Sequence, residues 1–219
     1  MTATLPVKSP ISATPDDDSR IMLSMAQPVN SACGWHGLDC NGVRTRSVAD
    51  DANARLQRQH QRALNVWLLK TEPAECSIEN IRDANDGTMR WDGIRNYQAR
   101  NLLRDAVRSG DLCLIYHSGV REPAVAGCAE VVRAGYPESA QFQPGTPLFD
   151  AASQPDAPRW FCIDIRFREH FAQKVTLSAI KAEPDLQTMV LLKQGRLSVQ
   201  PVTAREWAVI RRLAQGKHP

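Results

Sequence analysis

The chain has 219 residues, of which 42% are apolar and 23% charged, the make-up of a folded globular protein rather than a disordered or membrane one. Lysine and arginine number 27 against 24 acidic residues, a formal charge of +3, which is too small for a protein that coats nucleic acid non-specifically, so any contact with a polyanion has to be local. No apolar run of roughly 18 residues is present and the patch Ile21-Met22-Leu23 is too short for a signal-peptide core, which excludes an ordinary transmembrane helix and makes the cytoplasm the default expectation.

From Met1 to Leu64 the chain is rich in Ser, Thr, Pro, Asp, Asn and Arg, holds one aromatic residue, Trp35, and shows no sustained hydrophobic period. Such a segment buries too little apolar surface to offset its ordering entropy. Arg55 to Leu64 has helix-forming residues but no continuous apolar face. Residues 1–64 therefore read as a weakly structured arm or as the product of an upstream start codon, since Met22 and Met25 offer alternative starts. The folded domain is expected over 65–219.

At Asn65 the character changes. NVWLLK is a short strand-type run that ends at Pro73. Ser77 is placed to cap a short helix, SIENIRDA, with Asn80 at the third position, and Asn85-Asp86-Gly87 reads as a turn. Leu102, Leu103, Ala106 and Val107 give Tyr97 to Val107 a helical period, closed by Gly110. DLCLIYH from Asp111 and AVAGCAEVV from Ala124 are expected to pair as antiparallel strands. Residues 137–158 are interrupted by proline and glycine and read as a long functional or mobile loop. Arg159 to Arg168 alternates, with Phe161, Ile163, Ile165 and Phe167 on one face and Trp160, Cys162, Asp164 and Arg166 on the other. Three helical stretches follow: Thr176 to Ala182, Pro184 to Lys193, and Ala204 to Ala214, the last capped by Thr203 with Glu206 in a capping box. Strands interspersed with short helices, without a βαβ rhythm, predict an α+β fold built on a small curled sheet or barrel.

Six cysteines occur, none in a CxxC pair or interleaved with histidines at zinc-ligand spacing, so no metal site is expected. Cys113, Cys128 and Cys162 lie in apolar runs and read as buried small hydrophobes. An enzyme would need a nucleophile with its base, paired carboxylates or a metal cluster. His117-Ser118 comes nearest, but neighbours on a strand point to opposite faces, and neither GxGxxG nor GxxxxGK is present. No catalytic residue and no cofactor is expected.

Several segments together carry a resemblance: WLLKTEP at Trp67 to Pro73, WDGIRNYQARN at Trp91 to Asn101, SGDLCLIYHS at Ser109 to Ser118, AGCAEVVR at Ala126 to Arg133, PRW at Pro158 to Trp160 and GRLSVQPV at Gly195 to Val202. In that order the chain resembles the EVE domain family. Cys76, where an aromatic residue is usual, and Leu148-Phe149-Asp150, in place of a tyrosine-rich version, depart from its pattern. The resemblance implies a PUA-like curled β-barrel with short helices packed around it, related to YTH domains, and a pocket for a flipped, modified base in DNA or RNA.

The residues themselves are compatible with such a pocket, because a base outside its stack needs aromatic planes against its faces and a few polar groups at its edge. Trp91 and Trp160 are the candidate walls, each with a core role as its alternative, whereas Trp67 and Trp207 sit among aliphatic residues and read as core. Asn96, Tyr116, His117 and Ser118 are the candidate edge readers, although Asn96 is equally suited to cap the helix at Tyr97 and His117 to a structural role. Lys70, Arg95 and Arg100 are the candidate phosphate or rim contacts. The expected protein is a monomeric, non-catalytic reader, with a protein- or metabolite-binding module as the alternative.

Overall fold

The computed structural model describes Leu64 to Gly216. The expectations for the N-terminal arm, except at Leu64, lie outside the described residues. The elements are β1 (Val66–Thr71), α1 (Ile78–Asp83), β2 (Thr88–Trp91), α2 (Tyr97–Asn101), β3 (Leu112–His117), β4 (Ala124–Pro137), β5 (Phe161–Thr176), α3 (Leu177–Ala182), α4 (Val190–Lys193), β6 (Val199–Val202) and α5 (Ala204–Ala214).

The six strands form one mixed sheet in the order β2-β5-β4-β3-β1-β6. β1 runs parallel to β3, with Thr71 opposite His117, and every other pairing is antiparallel. VWLL in β1 is an unbroken apolar run because the sheet is covered on both sides. Trp67 and Leu69 enter one core with Ile81, Trp91, Cys113 and Ile163, while Val66 and Leu68 enter a second with Leu114, Tyr116, Ile180 and Ile210. Four register shifts between β4 and β5 break the ladder of these long strands, and such irregularities bend and twist a sheet. The α+β class expected from sequence is the one found. β2 and β6 stand at the two ends of the strand order without pairing to each other, so the sheet is open: of the curled sheet or barrel expected, closure into a barrel is not found.

Ser77 and Asn80 form the reciprocal cap of α1, and Thr203 and Glu206 that of α5. The expected helix over 97–107 begins as an α-helix, then widens into i→i+5 turns from Leu102 to Ala106, closed by the Val107 amide on the Leu102 carbonyl at 3.0 Å. Its backbone lies directly on β4. A Cβ at Gly135 would collide with the Leu103 carbonyl oxygen and approach the Arg104 Cα to 3.0 Å. The stretch expected as a helix from Pro184 to Lys193 is divided into a single 3-10 turn at Pro184–Leu186 and the four-residue α4. Strands β2 and β6 went unread, being four residues each. Pro201 is tolerated in β6 because that strand is an edge, where a missing N–H disrupts little.

All four cysteines among the described residues are buried and free. Burial pushes the Cys113 thiol well above its ordinary value and the Cys162 thiol to about 12, so both are neutral, inert packing groups.

Asp111 secures the junction between α2 and the sheet. One carboxylate oxygen accepts the Trp67 indole N–H and the Arg108 amide, each at 2.9 Å, while Gly110 takes the positive φ of +90° that the turn requires. Asp111→Ala leaves a buried indole N–H without its acceptor and is expected to cost about 2 kcal/mol. Asp111→Asn, which retains an acceptor oxygen, is expected to cost less, with urea denaturation as the measurement.

Candidate functional site

Because β1 and β3 are parallel, they end side by side, and the segments leaving them open a space at one end of the sheet. The Ser118 amide donates to the Thr71 carbonyl at 2.7 Å, and the Ser118 hydroxyl reaches the same oxygen at 3.1 Å. On the other side of β1, the Lys70 amide donates to the Ser198 carbonyl at 2.9 Å. The segment from Asp92 to Asn96, between β2 and α2, supplies a further wall. These pieces enclose a cavity of about 390 Å³ that also includes Thr71, Glu72, Glu75 and Arg196. Such a volume lies within the range of small-ligand pockets.

Four residues singled out from sequence meet here: Lys70, Arg95, Asn96 and Ser118. Lys70 is partly buried, its ammonium donating to the Gly195 carbonyl and lying 5.6 Å from the Tyr116 ring centre; burial lowers its pKa. Asn96 does cap α2, its Oδ1 accepting the Ala99 amide at 3.0 Å, which leaves the side-chain amide nitrogen without a partner among the described residues. Arg95 is committed to the wall. Its two terminal nitrogens reach the two oxygens of Glu138 at 3.0 and 2.8 Å, and one also reaches the Leu148 carbonyl at 2.7 Å. Glu138 has no exposed surface and takes the Gly93 amide as well, at 3.2 Å. Of the two roles expected for it, phosphate contact or rim, the bidentate pair with Glu138 fits a place in the wall.

The other candidates lie elsewhere. Trp91 is 0% exposed within the core under β2, so it has no face to offer a base, and the residues lining the cavity include no aromatic ring. Tyr116 packs in the second core. His117 accepts the Ile78 amide on Nε2 at 3.1 Å and thereby serves a first-turn N–H of α1, the structural role that stood as its alternative. Trp160 is buried beside the cavity wall, its indole N–H held by Asp150 at 2.7 Å and its ring stacked on Tyr97 with centres 5.1 Å apart. Arg100 donates to the Arg159 carbonyl and lies 5.0 Å from the Tyr97 ring centre.

Sequence reading missed Thr71, Glu72, Glu75, Asp92, Arg196 and Ser198 in the lining and Glu138 behind it. Thr71, Glu72, Asp92, Arg196 and Ser198 fall in the WLLKTEP, WDGIRNYQARN and GRLSVQPV segments, so their neighbourhood was marked although their side chains were not. Glu138 carried no signal, being one acid at the start of a polar loop.

Removing the Glu138 carboxylate leaves Arg95 unpaired against the wall. Fully buried pairs cost about 3–5 kcal/mol to break in this way, and Arg95, with 29% of its side chain exposed, regains part of that from water. Glu138→Ala is therefore expected to lose about 2–3 kcal/mol of stability by denaturant titration, and Arg95→Lys to leave most of that loss in place because an ammonium cannot span both oxygens.

His117 has its pKa lowered, chiefly by burial, from the ordinary 6.5, with Lys174 and His170 acting in the same direction and Glu79 opposing. The unfolded chain then binds this proton more readily than the folded one. The neutral ring's contribution to stability is complete above 6.5 and lost as the pH falls through the folded value. His117→Gln is expected to flatten the decline in denaturation midpoint between neutral pH and about pH 5. An unchanged slope would assign that decline to other groups.

Residues 65–213 match the model of the EVE domain. Thymocyte nuclear protein 1 of Homo sapiens is 31% identical over 214 residues, covering 84% of this chain and 95% of its own length. Two solved structures superpose with a TM-score of 0.66 over 71% of the chain. A hypothetical protein from Leishmania major is 40% identical, with 97% of it covered, and the human THYN1 protein, crystallised in complex with 5-methylcytosine-containing DNA, is 34% identical, with 99% covered.

Proposed function

Since the chain belongs to the EVE domain family, we propose that it is a nucleic-acid-binding reader that admits a modified base, flipped out of its stack, to the cavity at the ends of β1 and β3. The observation that carries this reading is the convergence on one cavity of residues able to serve a base edge: Ser118, Ser198 and Asn96. DNA is the favoured host, because a relative 34% identical was crystallised with methylated DNA. RNA is an outcome of the test. No catalytic step is assigned. Among the described residues no group of three or more His, Cys, Asp and Glu side chains can hold a metal ion, and no helix is long and apolar enough to cross a membrane.

The chemistry of reading divides between the cavity and its rim. Extruding a base costs a few kcal/mol, which hydrogen bonds of about 1 kcal/mol each and apolar burial have to offset. Ile94 is the apolar member of the lining, and a methyl group placed against such a side chain contributes about 0.8 kcal/mol, roughly fourfold in affinity. A preference for a methylated base resting on that contact alone is thus modest. The cations Lys70 and Arg196 serve the backbone, which binds any sequence equally.

Titration of the full chain with short single- and double-stranded oligonucleotides, each bearing one modified base, tests the reading. A modified strand is expected to bind about fourfold more tightly than its plain counterpart, or better where polar groups also discriminate. Ser198→Leu, which fills the cavity, is expected to abolish the preference while leaving plain-strand affinity in place. Lys70→Ala and Arg196→Ala are expected to weaken both strands alike and to reduce the salt dependence by about one phosphate contact each. If no modified strand outcompetes its plain form, the base-reading assignment fails.

A further inference from the structure

Beside the cavity lies an aromatic surface that the wall does not need. Tyr97 immediately follows Asn96 and is 49% exposed, one of the few large apolar side chains so placed among the described residues. Its ring is nevertheless fixed. It stacks on Trp160 with an interplanar angle of 25°, and its hydroxyl accepts from Arg159. Trp160 is in turn held at its indole N–H by Asp150 and at its backbone amide by Gln141, at 2.9 Å. Guanidinium groups lie over the pair: those of Arg100 and Arg159 over the Tyr97 ring, 5.0 and 5.8 Å from its centre, and that of Arg95 over the Trp160 ring at 5.0 Å, with Tyr97 still half exposed. Arg95 and Arg159 are paired with Glu138 and Asp150, whereas Arg100 has no carboxylate within ion-pair distance among the described residues.

We infer that Tyr97, seated on Trp160, is a stacking platform for the nucleotide next to the one read in the cavity, with Arg100 holding the adjoining phosphate. The inference rests on the base-reading assignment and adds a second contact to it. An exposed ring clamped in one orientation loses little conformational freedom when a base stacks on it, and base–aromatic stacking is tolerant of sequence because every base has a π-face. The flanking guanidinium groups match a polyanion and oppose an apolar peptide. Asn96 lines the cavity and Tyr97 follows it in the chain, so the two contacts are one residue apart and suit consecutive nucleotides.

The test uses the full chain and a short strand with its modified base flanked by 2-aminopurine on one side or the other, whose fluorescence is quenched by stacking. The wild type is expected to change the 2-aminopurine signal at one flanking position. Tyr97→Ala is expected to abolish that change and to weaken modified and plain strands by the same factor, between about fivefold and a hundredfold, with the ratio between them preserved. Tyr97→Phe, which keeps the ring, is expected to retain both the signal and most of the affinity, and Arg100→Ala to lower the salt slope by about one contact. A wild type that prefers the modified strand, combined with a Tyr97→Ala variant of undiminished affinity, overturns the platform and leaves the cavity assignment standing. A loss in Tyr97→Ala confined to the modified strand also overturns it, since Tyr97 would then act within the cavity. Absence of any modified-base preference in the wild type overturns the cavity assignment itself.

Discussion

Glu138 holds a carboxylate with no exposed surface, and a charge so placed is tolerated only when hydrogen bonds and a countercharge replace the water it has lost. The replacements come from one short segment: both terminal nitrogens of Arg95 and the amide of Gly93. The pair thereby fastens the segment between β2 and α2 to the long connection between β4 and β5. The Glu138 backbone amide continues the link, donating to the Trp160 carbonyl at 3.1 Å. Gln141 completes it, with Oε1 accepting the Trp160 and Arg159 amides and Nε2 donating to the Glu138 and Trp160 carbonyls. The connection that read as functional or mobile from its prolines and glycines is thus held by a polar network where an apolar core would otherwise be needed. The cavity wall and the Tyr97–Trp160 stack both depend on it.

The part of this architecture legible in the sequence was the part written in periodicity and caps. β1, β3 and β4 announce themselves as apolar runs, and Ser77, Thr203 and Glu206 cap their helices as their spacing requires. β2 was not legible because four residues at a sheet edge are too few to establish a period, and β6 because it contains Pro201, which argues against a strand unless the strand is known to be an edge. β5 extends to Thr176, well past Arg168, through a mixed run in which only Phe171 and Val175 enter the second core, too sparse an apolar pattern to be read as strand.

For the site, the segments were marked and most of the side chains were not. Trp91, His117 and Arg95 are residue types that recur in binding sites, and each has a structural task here: Trp91 fills the core, His117 satisfies an amide of α1, and Arg95 neutralises Glu138. The groups that do face the cavity include small hydroxyls and a carboxylate, which in a sequence are indistinguishable from surface residues. The difference is one of parity and chain direction. Trp91 ends β2 facing the core, and the next residue, Asp92, already belongs to the cavity lining, so a shift of one position separates a packing residue from one that lines the cavity. Composition and spacing do not resolve a single residue, whereas backbone register does.

The charge on the cavity sets how it can discriminate. Its lining brings Lys70, Arg95 and Arg196 together with Glu72, Glu75 and Asp92, so cations and acids are matched in number, in keeping with the small net charge of the whole chain. A lining so mixed has no strong field of one sign. The polar members of the lining include Ser118, Ser198 and Lys70. Those groups are carried near strand ends tied by main-chain bonds, Ser118 to Thr71 and Lys70 to Ser198, so their positions are fixed before any ligand arrives. Arg196 is an exposed member of the same lining, whereas Arg100, outside it, is tied to the Arg159 carbonyl and the Asn101 side chain.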